Sequence, residues 1–148
     1  MSNKPLKILL ADDDEDDRFL FIDALKELKI KTIVHAVNDG FELMEYLANN
    51  ADSLPQLLFL DLNMPRKNGL ECLNEIRSNR SLADIAIAIY STSLAEKDIE
   101  ATFLNGANVY INKPNSFDDI KQALNTVILS TNVYQSPPFN IANFLLRI

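Results

Sequence analysis

Short apolar segments alternate with segments of helical periodicity five times between residues 6 and 130. The fourth apolar segment, 85–90, is apolar throughout, as a strand covered on both faces should be. Strands that alternate with helices indicate parallel βαβ units with right-handed crossovers. The chain is therefore predicted to form an α/β domain with a doubly wound, five-stranded parallel sheet. The predicted strands are 6–11, 32–37, 56–60, 85–90 and 109–112.

The segments between these strands carry apolar residues at the spacing of amphipathic helices. The first helix is predicted at 16–28 and the fourth at 95–105, where Gly106 supplies a left-handed cap. Ser116 is the predicted N-cap of the fifth helix. Residues 131–148 differ, because a Pro-Pro pair at 137–138 interrupts any helix. We expect one domain at 5–130 and a C-terminal tail at 131–148 that is too short for an output domain.

Charged side chains follow three of the predicted strands directly. Asp12 and Asp13 follow the first strand, Asp61 the third and Lys113 the fifth. In open α/β sheets the ligand site lies at the edge where the strands' carboxyl ends meet, so these groups should converge there. Packed carboxylates repel one another unless a cation neutralises them, and magnesium suits a site of oxygen ligands that also accepts phosphate. The lysine then suits a phosphoryl group held on one carboxylate as an aspartyl phosphate.

Asp61 opens a loop that contains Pro65 and Gly69, which would fix the carboxylate at the sheet edge and permit a tight entry to the third helix. An ordinary helix-capping or surface aspartate is the alternative interpretation. Ser91, Thr92 and Ser93 close the fourth strand, where a hydroxyl could donate to a phosphoryl oxygen. For Thr92 and Ser93 the alternative is N-capping of the fourth helix.

The acidic run at 12–17 does not match a calcium-binding EF-hand loop. Counted from Asp12, the sixth position is Asp17 rather than glycine and the twelfth is Asp23 rather than glutamate. The second half of the run, 15–17, is interpreted as a solvated helix start, where negative charge is favourable.

Composition excludes several classes of protein. The net charge of −7 argues against nucleic acid as a partner, which would require clustered lysine and arginine. The single cysteine, Cys72, rules out an internal disulfide, and no Cys/His cluster indicates zinc. No apolar run approaches the ~20 residues of a membrane span, and the N-terminus lacks the apolar stretch of a signal peptide. A cytoplasmic protein with no membrane partner is expected. His35, in the second strand, has no predicted role.

In their order and spacing these motifs resemble the receiver domain of bacterial two-component response regulators, of the stand-alone, CheY-like type, over residues 5–130. Asp12 and Asp13 match the family's acidic pair, and Asp61 matches the phosphoacceptor within Asp-Leu-Asn-Met-Pro. The switch and phosphoryl-binding positions match Ser91, Thr92, Tyr110, Lys113 and Pro114. The loop and the tail also resemble stand-alone regulators that are paired with phytochrome-type sensor kinases.

The resemblance implies the strand order 2-1-3-4-5. It also implies a Mg²⁺ or Mn²⁺ ion held by Asp13, Asp61 and the backbone carbonyl of Asn63, with Asp12 acting mainly through water. The phosphoryl donor would be a sensor histidine kinase, and an unidentified downstream protein would read the face of helix 4, strand 5 and helix 5. The tail, with five apolar side chains within 140–148, is expected to dock on its own domain or on a second copy. A homodimer through that face is the favoured setting.

An alternative function is a phosphatase of the haloacid dehalogenase type, which also forms an aspartyl phosphate. Its signature needs an acid two residues after the nucleophile, where this chain has Asn63, and here the acidic pair precedes the nucleophile. A third possibility is an adaptor that keeps the fold without responding to phosphate, against which the complete set of site residues argues. We expect a switch that catalyses its own phosphorylation and dephosphorylation and is otherwise not an enzyme.

Overall fold

The computed structural model describes residues 4–131 and 143–146. Within them, five strands form a parallel sheet in the order β2-β1-β3-β4-β5, which confirms the predicted doubly wound α/β fold. The strands are β1 (Leu6–Ala11), β2 (Thr32–Val37), β3 (Leu57–Leu60), β4 (Ala86–Ser91) and β5 (Val109–Asn112). Three of them have the predicted bounds, β3 begins one residue later, and β4 is shifted by one residue so that it includes Ser91.

Among the same residues, four α-helices connect the strands and a fifth follows β5. They are α1 (Glu15–Glu27), α2 (Gly40–Asn49), α3 (Gly69–Arg77), α4 (Glu96–Leu104) and α5 (Phe117–Leu129). A short 3₁₀ helix at Arg80–Leu82, which the sequence did not predict, lies between α3 and β4.

Side chains cap the N-termini of four of these α-helices. Asp14, Asp39, Asn68 and Ser116 each accept a hydrogen bond from a backbone N–H in the first turn. The N-cap of α4 is Ala95, which makes no such bond, so Thr92 and Ser93 are not its caps. At the other end of α4, Gly106 has φ 92°, the left-handed conformation expected there.

The core lies in two layers on either side of the sheet. Alternate residues of a strand point to opposite faces, so Leu9 of β1 packs with α2 and α3, whereas Ile8 and Leu10 pack with α1 and α5. β3 is fully buried along its length, and so is β4. This central burial holds the carboxyl ends of β1, β3 and β4 in fixed positions beside one another.

A segment of the tail docks on the free edge of β5. The Tyr110 backbone N–H donates to the Phe144 carbonyl (2.9 Å), and the Leu146 N–H donates to the Tyr110 carbonyl (2.9 Å), as in a parallel strand pair. The Phe144 side chain is fully buried, with its ring centroid 5.5 Å from that of Phe103 and 5.9 Å from that of Tyr110. Of the two predicted settings, the structure shows docking on the chain's own domain. The other apolar tail residues, Ile141 and Ile148, and the Pro-Pro pair lie outside the described residues.

Candidate functional site

The groups that were predicted to converge meet at the carboxyl edge of the sheet. The ammonium Nζ of Lys113, which follows β5, lies 2.9 Å from Asp12 Oδ2 and 3.2 Å from Asp61 Oδ2. Asp12 and Asp61 follow β1 and β3, which are neighbours in the sheet, and both are buried. Because all the strands run parallel, residues that are about 50 positions apart in sequence come within contact distance.

Three carboxylates form a set of oxygen ligands at this edge. One carboxylate oxygen from each of Asp12, Asp13 and Asp61 can be chosen so that all three lie within 4.8 Å of one another. Asp13 is exposed at the rim, whereas the other two are buried. The buried Oδ2 of Asp12 has no hydrogen-bond partner among residues 4–131 and 143–146. The nearby Lys113 ammonium is close enough for an ion pair, but it is not aligned for a hydrogen bond to that oxygen. A hard divalent cation fits such a set.

The pKa values of Asp12 and Lys113 are set by their burial and by the charged groups around them. Burial raises the pKa of the Asp12 carboxyl above its ordinary value, and the opposing effect of Lys113 only partly offsets it. Burial alone would lower the pKa of Lys113, but its close contacts with the carboxylates of Asp17, Asp12 and Asp61 outweigh that effect and raise the pKa. The lysine therefore remains an ammonium at neutral pH.

The loop after β3 holds Asp61 in place. Asp61 Oδ1 accepts a hydrogen bond from the Asn63 backbone N–H (3.3 Å), and the Gly69 N–H donates to the Leu62 carbonyl (3.0 Å). A Cβ at Gly69 would lie 2.2 Å from the Asp61 carbonyl oxygen, so any other residue there would displace this backbone. The tight helix entry predicted at Gly69 is therefore present, and it fixes the backbone of Asp61.

The loop after β4 carries the hydroxyl groups. Ser91 is fully buried, and its Oγ accepts from the Ser93 backbone N–H (3.1 Å). Tyr110 of β5 is also fully buried, and its hydroxyl donates to the Ser93 carbonyl (2.8 Å). Thr92 is exposed at the rim. The Lys113 backbone N–H donates to the Ser91 carbonyl (2.8 Å), which joins the lysine, and Pro114 after it, to this loop.

Two contacts of the site were not predicted from the sequence. Asp17, interpreted above as part of a solvated helix start, lies with its Oδ2 2.8 Å from Lys113 Nζ. Arg66 has a left-handed backbone (φ 67°), and its guanidinium contacts Asp39 Oδ2 (3.2 Å) and lies over the ring of Phe41. The position of Asp17 in the first turn of a helix that starts at the sheet edge is the signal that could have placed it at the site.

Fold and site together define a doubly wound α/β domain with two buried carboxylates and one ammonium at the carboxyl edge of its parallel sheet, the edge where the ligand site of such folds lies. Comparison with known families agrees, because the response regulator receiver domain model matches residues 8–125. The chain belongs to that family, as the sequence resemblance predicted. It is a phosphorylation-switched response regulator rather than a conventional enzyme, and proteins of this kind interact with histidine kinases and downstream proteins.

Similar proteins include single-domain regulators. Response regulator Rcp1 of Synechocystis is 33% identical over 123 residues, which cover 80% of this chain and 84% of that protein. The phosphorylated cyanobacterial phytochrome response regulator RcpA has a similar structure, with a TM-score of 0.80, 34% identity and coverage of 87% of this chain and 95% of that one. The Mn²⁺-bound form of Rcp1 has a TM-score of 0.75, 31% identity and coverage of 83% and 91%. Across the described part of this chain, the helices are too short or too polar to span a bilayer.

Proposed function

We propose that Asp61 is the residue that accepts the phosphoryl group. The observation that carries this proposal is the position of its buried carboxylate at the end of β3, which accepts hydrogen bonds from Lys113 and from the Asn63 backbone. In the transfer, an Asp61 oxygen would bond to phosphorus while the bond from phosphorus to the donor breaks. With a phosphohistidine donor on a sensor histidine kinase, the departing imidazole nitrogen takes up a proton.

The proposed cofactor is Mg²⁺, with Mn²⁺ as a substitute, held by Asp12, Asp13, Asp61 and the backbone carbonyl of Asn63. The oxygen-only ligand set and the buried Asp12 Oδ2 without a hydrogen-bond partner among the described residues support this. The Mn²⁺-bound neighbour is also consistent with it. When bound, such an ion supplies positive charge against the oxygens of the transferring group.

The remaining residues have proposed roles in holding the phosphoryl group and in switching. Lys113 would donate to a phosphoryl oxygen in a charge-assisted hydrogen bond, and Pro114 would fix the turn that carries it. The Ser91 Oγ accepts a bond from the Ser93 backbone N–H, and its hydroxyl would donate to a phosphoryl oxygen. Thr92 adds a second hydroxyl at the rim. Tyr110, whose hydroxyl binds the Ser93 carbonyl, would link changes in this loop to β5.

The face formed by α4, β5 and α5 is the proposed readout surface for a downstream protein, and also for a homodimer. Large exposed apolar side chains on its helices include Leu104 of α4 and Leu129 of α5, whereas the docked segment 143–146 covers the edge of β5. The proposed compartment is the cytoplasm, in line with the free, buried Cys72. The haloacid dehalogenase alternative is not favoured, since the family match covers most of the chain and Asn63 occupies the position of the required acid.

Intact-mass spectrometry tests the assignment of Asp61. The protein would be incubated with acetyl phosphate with Mg²⁺ and with Mg²⁺ removed by a chelator. We expect one phosphoryl addition that requires the metal and is absent in Asp61→Asn. Asp52→Asn, the same change at an exposed loop position, should be labelled like the wild type. Equal labelling of Asp61→Asn, or labelling that does not depend on a divalent metal, would contradict the proposal.

A further inference from the structure

Lys113 makes its shortest contact in the site to Asp17, a residue outside the proposed metal ligands and the phosphoacceptor. Its Nζ lies 2.8 Å from Asp17 Oδ2, compared with 2.9 Å to Asp12 and 3.2 Å to Asp61. The contacts to Asp17 and Asp61 also have hydrogen-bonding geometry. Asp17 and Asp61 therefore share the donors of this ammonium, with the shorter contact going to Asp17.

The Asp17 carboxylate is held near Lys113 by a rigid helix start. Its backbone N–H donates to the N-cap carboxylate of Asp14 (2.9 Å), which fixes the first turn of α1. The next residue, Arg18, donates from Nη1 to the Asp12 carbonyl (2.8 Å), which ties the same turn to the end of β1. The contact between Asp17 and Lys113 is thus built on two ordered elements and does not depend on a chance rotamer of an isolated surface pair.

We propose that Asp17 is a positioning residue that restrains Lys113 in the unphosphorylated protein and thereby lowers the affinity of the site for a phosphoryl group. This inference rests on the proposed role of Asp61. A phosphoryl group on Asp61 brings additional negative charge, draws Lys113 toward its own oxygens and repels the Asp17 carboxylate. A contact that is stronger before phosphorylation than after it shifts the equilibrium toward the unphosphorylated form.

The size of the effect is limited by exposure. The side chain of Asp17 is 34% exposed, so water partly screens the interaction and can replace it. Removal of a partly exposed ion pair of this kind should change the binding equilibrium by about two- to fivefold. Asp12 and Asp61 are buried, and their removal would disturb the proposed metal site as well. Asp17 is therefore the partner of Lys113 whose substitution reports on the restraint alone.

The test is a beryllofluoride titration at saturating Mg²⁺, followed by amide chemical shifts of residues near Asp61. We expect Asp17→Asn to lower the midpoint by about two- to fivefold. Asp16→Asn is the matched control, because it removes the same charge from the same exposed helix turn and should leave the midpoint unchanged. In a Lys113→Ala background, Asp17→Asn should have a smaller effect, because only the direct repulsion between Asp17 and the phosphoryl mimic remains, whereas a general change in helix stability would persist there in full.

Three results would overturn the proposal. One is an unchanged or higher midpoint for Asp17→Asn, and another is the same decrease in Asp16→Asn. The third is a weaker affinity for Mg²⁺ alone in Asp17→Asn than in Asp16→Asn, which would make Asp17 a metal ligand. Failure of the underlying function looks different, because the wild type would then not bind beryllofluoride, or Asp61→Asn would bind it equally well.

Discussion

Replacement of Phe144 by alanine tests how the C-terminal segment is held on the domain. Phe144 is fully buried against Phe103 and Tyr110, as a core residue would be. Truncation of a core phenylalanine to alanine ordinarily costs about 3–5 kcal/mol, because a cavity remains. The described segment 143–146 can avoid that cost, because it can leave the domain when its anchor is lost.

The free energy of docking sets the upper limit of the loss. Burial of Phe144 contributes about 1.5–3 kcal/mol and the two backbone hydrogen bonds about 0.5–1.5 kcal/mol each. The half-buried Leu145 and Leu146 add roughly one buried CH₂ or two each, at about 0.8 kcal/mol per CH₂. Ordering four residues costs about 1–2 kcal/mol each, which nearly cancels these gains. The net free energy of docking is therefore small, and we expect Phe144→Ala to destabilise the domain by no more than about 1 kcal/mol.

Urea unfolding and amide hydrogen exchange measure this effect together. Phe144→Ala should lower the free energy of unfolding by the same amount as deletion of residues 143–148, and the amide of Tyr110, which donates to the Phe144 carbonyl, should lose protection in both variants. Phe19→Ala, the same chemical change at a side chain that is 58% exposed, should have little effect on stability. A larger loss in Phe144→Ala than in the deletion would refute local undocking, and an unchanged Tyr110 amide would refute docking itself.

Three further predictions concern the site and its supports. Lys113→Ala should leave the fold intact but reduce the changes in amide chemical shift that beryllofluoride causes in α4 and β5. Changes as large as those of the wild type would show that Lys113 does not couple the phosphoryl site to these elements. Burial raises the pKa of the Cys72 thiol in the folded protein to about 11, so it should resist iodoacetamide at pH 8 and react once urea unfolds the chain. The pKa of the same thiol in the unfolded chain is about 8.5. The contribution of Cys72 to stability should therefore be complete below about pH 8.5 and be lost as the pH rises toward about 11. Rapid native alkylation would contradict this. Asn108→Ala removes the acceptor of the buried Ile87 backbone N–H (2.7 Å) and should lower the free energy of unfolding by about 1–3 kcal/mol, measured in urea. A much smaller loss would show that another acceptor replaces the Asn108 side chain.

The pattern of apolar residues was sufficient to predict the fold, but it misplaced the polar end of β4. Ser91 was placed just after the predicted strand 85–90, yet it is the last residue of β4, is fully buried and pairs with Asn112 of β5. A hydrophobic pattern cannot identify a buried polar residue at a strand end. In the same way, it gives no indication of the 3₁₀ helix at Arg80–Leu82, whose residues have no apolar periodicity.

Asparagines are frequent around β5, at positions 105, 108, 112 and 115, and the structure shows what three of them bind. Asn108 Oδ1 accepts from the Ile87 backbone N–H and from Arg77 (2.8 Å), so the side chain pairs with β4 just before β5 begins. The Asn105 side chain donates to the Ala101 carbonyl at the end of α4, and that of Asn112 donates to the Ser91 carbonyl. These amides bind backbone groups at the ends of helices and strands. The sequence could not identify them, because each partner either lies far away in sequence or is set by the residue at which the helix ends.

The convergence of Asp12, Asp61 and Lys113 could be predicted because parallel strands must end at one edge. For Asp17 the sequence gives only its place in the first turn of α1, which starts at the same edge. Its contact with Lys113 also depends on the rotation of α1, which packs against α5.

The contact with Asp17 changes how the charges of the site must be counted. One ammonium now faces three carboxylates, two of them buried. Burial disfavours the ionised form of Asp12 and raises its pKa, and the neighbouring charge of Asp61 adds to this effect. In the proposed function, a divalent cation would offset these negative charges, so its binding would be favourable before any phosphoryl group arrives. A phosphoryl group would then add negative charge beside Asp61, and Lys113 would turn toward it by giving up part of its contact with Asp17. Under this proposal the surplus of carboxylates favours the metal, whereas the contact between Lys113 and Asp17 opposes the phosphoryl group.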